Sequence, residues 1–200
     1  MSAPNNTNTI IRTAHTMTAL LHLYAIHSWC EHGDDNTPTE PSDIDAKQRR
    51  RLSTLAKYAL PARQSLSQHT DLSQVDHILW CSSFGDERKT LHILQDIAAD
   101  ETPSPTAFAT SVHNATAGLY SMLYQDDVPS SSMNVGVTEF GNALVYAYAL
   151  LNSHSASKVL VIAADEPLPA LYQTQQPEHV YAMACVLGLG SEATPTNLRI

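Results

Sequence analysis

Along this chain short apolar runs alternate with polar, proline-containing breaks, and their periods separate helices from strands. Residues 20–26 (LLHLYAI) form an apolar run too short for periodicity to distinguish a strand from a helical turn. From Ile44 onward, DAKQRRRLSTLAKYALPARQSL carries Leu52, Leu55, Ala56, Ala59 and Leu60 at helical spacing, which predicts an amphipathic helix interrupted or kinked at Pro61. Residues 75–83 (VDHILWCSS) read as a strand. In the following FGDERKTLHILQDIAAD, Asp86 is placed to cap a helix whose apolar face holds Leu91, Leu94 and Ile97. Pro103 and Pro105 in TPSPTAF end that helix, and TSVHNATAGLYSMLYQ starts another, with Ser111 and Asn114 as cap formers and the small residues Ala115, Ala117 and Gly118 inside it. DDVPSSS turns the chain into the strand SMNVGV, a helix covers residues 143–151, and KVLVIAADEPLP and YAMACVLGLG supply two more strands. Strands this continuously aliphatic are buried on both faces. The order β, α, α, β, α, β, α, β, β therefore predicts an α/β fold, a mixed, mainly parallel sheet flanked by helices. Residues 1–18, rich in Thr and Asn, read as a flexible extension, and EHGDDNTPTEPSD as a surface loop.

Composition narrows the function more by exclusion than by indication. Two hundred residues at 43% hydrophobic content suit one domain with a real core. No apolar run is long enough to span a bilayer and no secretory leader pattern opens the chain, so a cytoplasmic location is expected. A formal net charge of −9 argues against nucleic acid as a partner. The one cationic cluster lies at residues 47–51, centred on Arg49, Arg50 and Arg51. Cys30, Cys81 and Cys185 are far apart and form no C-x-x-C pair, so reduced, mostly buried thiols are expected. The histidine pairs His15/His22 and His22/His27 lack the spacing of a zinc helix, and no metal site is expected.

Chemistry concentrates around NVGVTEFGNALVYAYALL, residues 134–151, where a strand turns sharply into an apolar helix. Several enzyme folds place a nucleophile at such an elbow, yet the residue at the tip is Glu139. A carboxylate at a helix N-terminus is stabilised as the anion, which suits capping and makes a poor nucleophile. Ser111, His113 and Glu139 can be drawn as a triad, but spacing alone does not bring them together. Thr138 lacks the G-x-S-x-G setting of a hydrolase nucleophile. Asp165 and Glu166 are paired carboxylates at a strand end, with Pro167 and Pro169 behind them favouring a rigid loop.

Taken in order, RRRLSTLAKYAL, SSFGDERKTLHILQDI, SPTAFATSVHNATAGLYSML, NVGVTEFGNALVYAYALL and VLVIAADEPLP resemble the N-terminal half of a β-ketoacyl synthase over residues 20–190. The resemblance implies a thiolase-like fold in a single half, with a synthase-like domain at 19–200 following the 1–18 extension. In such condensing enzymes the elbow carries a cysteine in a T-A-C-A-x-G pattern, activated by the helix N-terminus. Here the matching stretch is Val137-Thr138-Glu139-Phe140-Gly141, which puts Glu139 at or beside the nucleophile position, and residues 134–142 contain no cysteine. The catalytic histidines of the family belong to a second half, for which this sequence has no room.

What the resemblance implies is a non-catalytic, chain-length-factor-like subunit. It would pair as a heterodimer with a complete β-ketoacyl synthase in polyketide or fatty-acid synthesis, aryl polyene formation fitting best. Its role would be to stabilise the synthase and shape its acyl channel. In this family the strand leading to the elbow pairs with its counterpart across a dimer axis. The side chains expected at the interface or channel are His113, Asn114, Met122, Met133, Thr138, Glu139, Phe140 and Tyr146. No cofactor is implied, the substrate reaching the partner on an acyl carrier protein. Two other readings stand beside this one. One is an autonomous acyltransferase or hydrolase using Glu139 or His113; the other is an acyl carrier protein binding module docking through residues 47–51, against which the net negative charge counts.

Overall fold

The structure, a computed structural model, describes residues 20–30, 44–49, 52–136, 140–172, 180–190 and 197–199. The 1–18 extension, Arg50, Arg51, Thr138 and Glu139 lie outside them. Among the described residues six strands form one sheet: β1 (Leu20–Cys30), β2 (His77–Ser82), β3 (Ser130–Asn134), β4 (Val159–Asp165), β5 (Tyr181–Leu189) and β6 (Asn197–Arg199), in the spatial order β3-β2-β4-β5-β1-β6. The sheet is mixed, as expected. β2 pairs parallel with β3 and β4, while the β4–β5, β5–β1 and β1–β6 pairings are antiparallel, so four of the six strands run in one direction. The ambiguous LLHLYAI run is a strand and extends to Cys30, with a register shift between Leu23 and Ala25.

β4 shows why both faces are covered. All seven of its residues are buried. Leu160, Ile162 and Ala164 point into one core with α2 (Thr54–Ser67) and α5 (Ala115–Tyr124), whereas Val159, Val161 and Ala163 point into a second with α6 (Phe140–Asn152). That alternation is the period-two geometry of a strand, and it explains why the sequence reads as an unbroken aliphatic run. β5 approaches β1 closely at Gly188, where a Cβ would sit 2.8 Å from Cε2 of Tyr24, a ring that also carries Lys158 Nζ 4.7 Å from its centroid.

The helices correct the sequence reading at three places. The helix expected from Ile44 is two. Asp45 accepts from the Lys47 and Gln48 N–H groups at 2.8 and 2.9 Å and starts the short α1 (Ala46–Arg49). Ser53 then caps α2 by accepting from Ala56 N at 3.1 Å. Pro61 lies inside α2, which runs on to Ser67 with Leu55, Ala56, Ala59, Leu60 and Leu66 buried. Asp86 stands at the cap position of α3 (Glu87–Ala98), but its side chain makes no capping bond and lies 3.0 Å from Lys89 Nζ. The expected apolar face of α3 is turned outward: Leu94 and Ile97 are 50% and 57% exposed, and Ile93 alone is buried. The reason is that α3 packs on α4 (Pro105–Ser111) and not on the sheet. Finally, Pro105 does not merely end a helix. It is the first residue of α4, capped by Ser104, and Ser111 closes that helix while Asn114 precedes α5.

Truncating Leu160, 1% exposed at the centre of the sheet, should lower unfolding free energy by about 2–5 kcal/mol as Leu160→Ala in urea titrations. Leu94→Ala should change it by less than about 0.5 kcal/mol, because no core contact is lost.

Candidate functional site

The carboxyl ends of β2 and β4 meet at a buried acid. Asp165 is 1% exposed, and four donor groups converge on it. Ser82 Oγ donates to Oδ1 at 2.7 Å, Ser83 N to Oδ1 and Oδ2 at 2.8 and 3.1 Å, Ser83 Oγ to Oδ2 at 2.8 Å, and Tyr181 OH to Oδ2 at 2.7 Å. Burial, with the Asp165 charge beside it, pushes the Tyr181 phenol well above its ordinary range and keeps it a donor.

Ser83 also reaches the turn after β3. Ser83 Oγ also contacts the Gly136 carbonyl at 2.8 Å, Asn134 Nδ2 donates to the Ser83 carbonyl at 2.6 Å, and Gly136 N donates to Asn134 Oδ1 at 2.8 Å. Gly136 has φ of +76°, a left-handed conformation that glycine adopts without a steric cost. The first residues after β3, as far as Gly136, are thus fixed to Ser83 and Asn134, and α6 begins at Phe140. Thr138 and Glu139, the central residues of the expected elbow, fall outside the described residues.

Of the expected interface or channel side chains, three gather on one side of β3. Met133 and Phe140 are half-buried against the second core, and Tyr146 is 39% exposed with its hydroxyl 3.5 Å from Ser131 Oγ. Met122, 61% exposed, projects from α5, whose buried Ala117 and Tyr120 belong to the opposite core, so it lies away from them. His113 and Asn114 are exposed in the turn between α4 and α5, and His113 Nε2 lies 3.4 Å from the Ser82 carbonyl. Ser111 donates its hydroxyl to Phe108 of its own helix at 2.9 Å, so that group is committed to the helix end.

Sequence reasoning missed the Asp165 network, taking Asp165 and Glu166 as a rigid loop. The available signal was a serine pair and an acid at the ends of two continuously apolar strands, where α/β sheets concentrate polar function. It also missed Val145, 57% exposed on the apolar α6 beside Tyr146.

The described thiols are poor nucleophiles. Burial holds both Cys81 and Cys185 up at about 12, with Cys185 and Asp165 adding to the effect at Cys81. Among the described residues no group of three His, Cys, Asp or Glu is placed to hold a metal, and no helix is long and apolar enough to cross a membrane.

Comparison with known proteins places these features in context. Residues 26–199 match the family model described as β-ketoacyl synthase, N-terminal domain. The chain is similar to a chain in the structure of a ketosynthase (ApeO) in complex with its chain length factor (ApeC) from Xenorhabdus doucetiae. The two share 26% identity and a TM-score of 0.71, over 86% of this chain and 80% of that one. It also resembles the ishigamide ketosynthase/chain length factor, at 16% identity and TM-score 0.59 over 75% of this chain and 47% of that one. A third likeness is to 3-oxoacyl-(acyl carrier protein) synthase III, FabH, from Pseudomonas aeruginosa PAO1, at 17% identity and TM-score 0.54 over 89% and 54%. The chain therefore spans about half the length of the last two. No curated protein sequence matches it.

Glu166 gives the site a pH dependence. The residue is 5% exposed, and burial raises its carboxyl from 4.5 to about 7, opposed in part by Arg88, whose Nε lies 3.3 Å from Oε2. The folded protein then binds this proton more tightly than the unfolded chain. The group's contribution to stability is complete below about pH 4.5 and is lost as pH rises through about 7. Glu166→Gln should be no more stable than the parent at pH 5 and more stable at pH 8, with the difference opening between those values in a series of thermal melts.

Proposed function

Since the chain belongs to the β-ketoacyl synthase N-terminal domain family, we propose that it is a non-catalytic, chain-length-factor-like subunit of a heterodimer whose other member is a complete, cysteine-bearing β-ketoacyl synthase. The observation that carries this reading is the open edge of the sheet at β3. One side of Ser130–Asn134 is paired with β2, and the other has no strand beside it among the described residues. An edge strand offers a row of backbone donors and acceptors to a second strand. Beside it lie half-buried Met133 and Phe140 and Tyr146, whose hydroxyl is 3.5 Å from Ser131 Oγ, with Val145 exposed on the same helix, an apolar margin suited to a subunit contact. The likeness to a ketosynthase bound to its chain length factor supports the same pairing.

The absence of cysteine from residues 134–142, and the protonated core state of Cys81 and Cys185, support a role without acyl transfer at a thiol of this subunit. The partner would carry out condensation on acyl carrier protein-bound substrate. The contribution of this chain would be to stabilise the partner and, through Met133, Phe140 and Tyr146, to wall the growing chain. Aryl polyene formation is the product class proposed for the complex.

Co-expression with a complete ketosynthase from the same source tests the pairing. The tagged chain should retain the synthase through gel filtration, and Val145→Glu combined with Tyr146→Glu should cut that retention at least tenfold while the melting temperature of the isolated chain stays within a few degrees. A chain that purifies as a monomer and never holds the synthase overturns the reading.

A further inference from the structure

On the sheet face opposite α6 a cavity of about 20 Å³ opens between α2, the end of β2 and the turn before α5. Leu55, Ala59, Ile162 and Ala164 form its apolar wall, each no more than 6% exposed, and small residues at 59 and 164 leave the hollow. Trp80 completes the wall. It is 5% exposed, its ring is fixed edge-on to Tyr120 at 5.2 Å, and its indole Nε1 has no hydrogen-bond partner among the described residues. His113 and Thr116 stand at the mouth, one exposed and one half-buried.

A buried donor left unpaired costs about 1–3 kcal/mol, so native structures nearly always supply an acceptor. The volume exceeds the roughly 10–15 Å³ that one water needs, but a stable buried water also requires two to four polar partners. Of the polar groups lining this cavity those of Ser82 are spent, which leaves only the Thr116 hydroxyl and the His113 ring at its mouth. Ser82 Oγ donates to Asp165 and accepts from Gly85 N at 2.7 Å, and the Ser82 carbonyl faces His113 Nε2. An occupant with one acceptor oxygen and an otherwise apolar body satisfies the indole and keeps contact with the aliphatic wall, which a water does not.

We infer that this cavity is a binding site for the oxygen-bearing end of a small neutral aliphatic molecule, an alcohol, aldehyde or ketone, with Trp80 Nε1 donating to the oxygen and the remaining carbons leading out between His113 and Thr116. The site is separate from the β3 edge and independent of any partner there.

Ethanol and xenon serve as probes, read by the indole resonance of Trp80 and the methyl resonances of Leu55 and Ile162 in isotopically labelled full-length protein. Ethanol should shift all three saturably. In Trp80→Phe the methyl resonances should report at least tenfold weaker ethanol binding with xenon binding retained, and Ala59→Leu, which fills the hollow with the indole in place, should abolish the indole shift. Three results overturn the assignment: ethanol shifts that stay linear with concentration, equal ethanol affinity in Trp80→Phe, or a long-lived water cross-peak to the Trp80 indole proton that ethanol does not displace, which would mean a structural water only.

Discussion

A carboxylate sealed in the core, with no cation paired to it among the described residues, has to be matched by donors, and in this protein that requirement organises the functional end of the sheet. Asp165 receives its hydrogen bonds from Ser82, Ser83 and Tyr181, which come from the end of β2, the residue after it, and the start of β5. Removing any donor would leave charge under-solvated in a medium where that is expensive. Each strand end is therefore held to the position at which it can donate. Ser83 and Asn134 extend the constraint to Gly136, so the exit from edge strand β3 is registered against the centre of the sheet.

The parts of the fold visible in the sequence are those governed by a local period. The aliphatic run at Val159–Asp165 could only be a strand buried on both faces, and it is one. The α2 stripe of Leu55, Ala56, Ala59 and Leu60 is buried as its spacing requires. The same rule failed at α3, because periodicity says that a helix has an apolar face and not what that face meets. Leu94 and Ile97 face outward because α3 lies on α4. The Asp165 network was hidden for a related reason: its members are separated by more than 80 residues between Ser82 and Asp165, and only the parallel register of β2 and β4 brings them together. The pattern of residues 134–151 also announced a strand followed by an apolar helix, and family resemblance added only the meaning of the turn between them, whose central residues lie outside the described ones.

Cysteine chemistry illustrates how position decides reactivity. A thiol at a helix N-terminus is activated by the backbone dipoles, while a thiol within a sheet core is suppressed by desolvation. Cys81 and Cys185 are of the second kind, and both are shifted upward. A protein can thus carry cysteines and the framework of a condensing fold together and still hold no activated thiol at either of these positions.

The two edges of the sheet are not equivalent. At one, β6 pairs with β1. At the other, β3 reads Ser-Ser-Ser-Met-Asn, with no lysine or proline within it and no bulge in its pairing with β2. Isolated proteins commonly guard an edge with such features, because an unprotected one recruits strands indiscriminately. An edge held in register by Asp165, Ser83 and Asn134 and bordered by Tyr146 carries none of these guards among the described residues, yet it is geometrically specified. That combination is costly for a monomer and favourable for a strand that pairs with one defined partner, since only a rigid edge can reward a matching register.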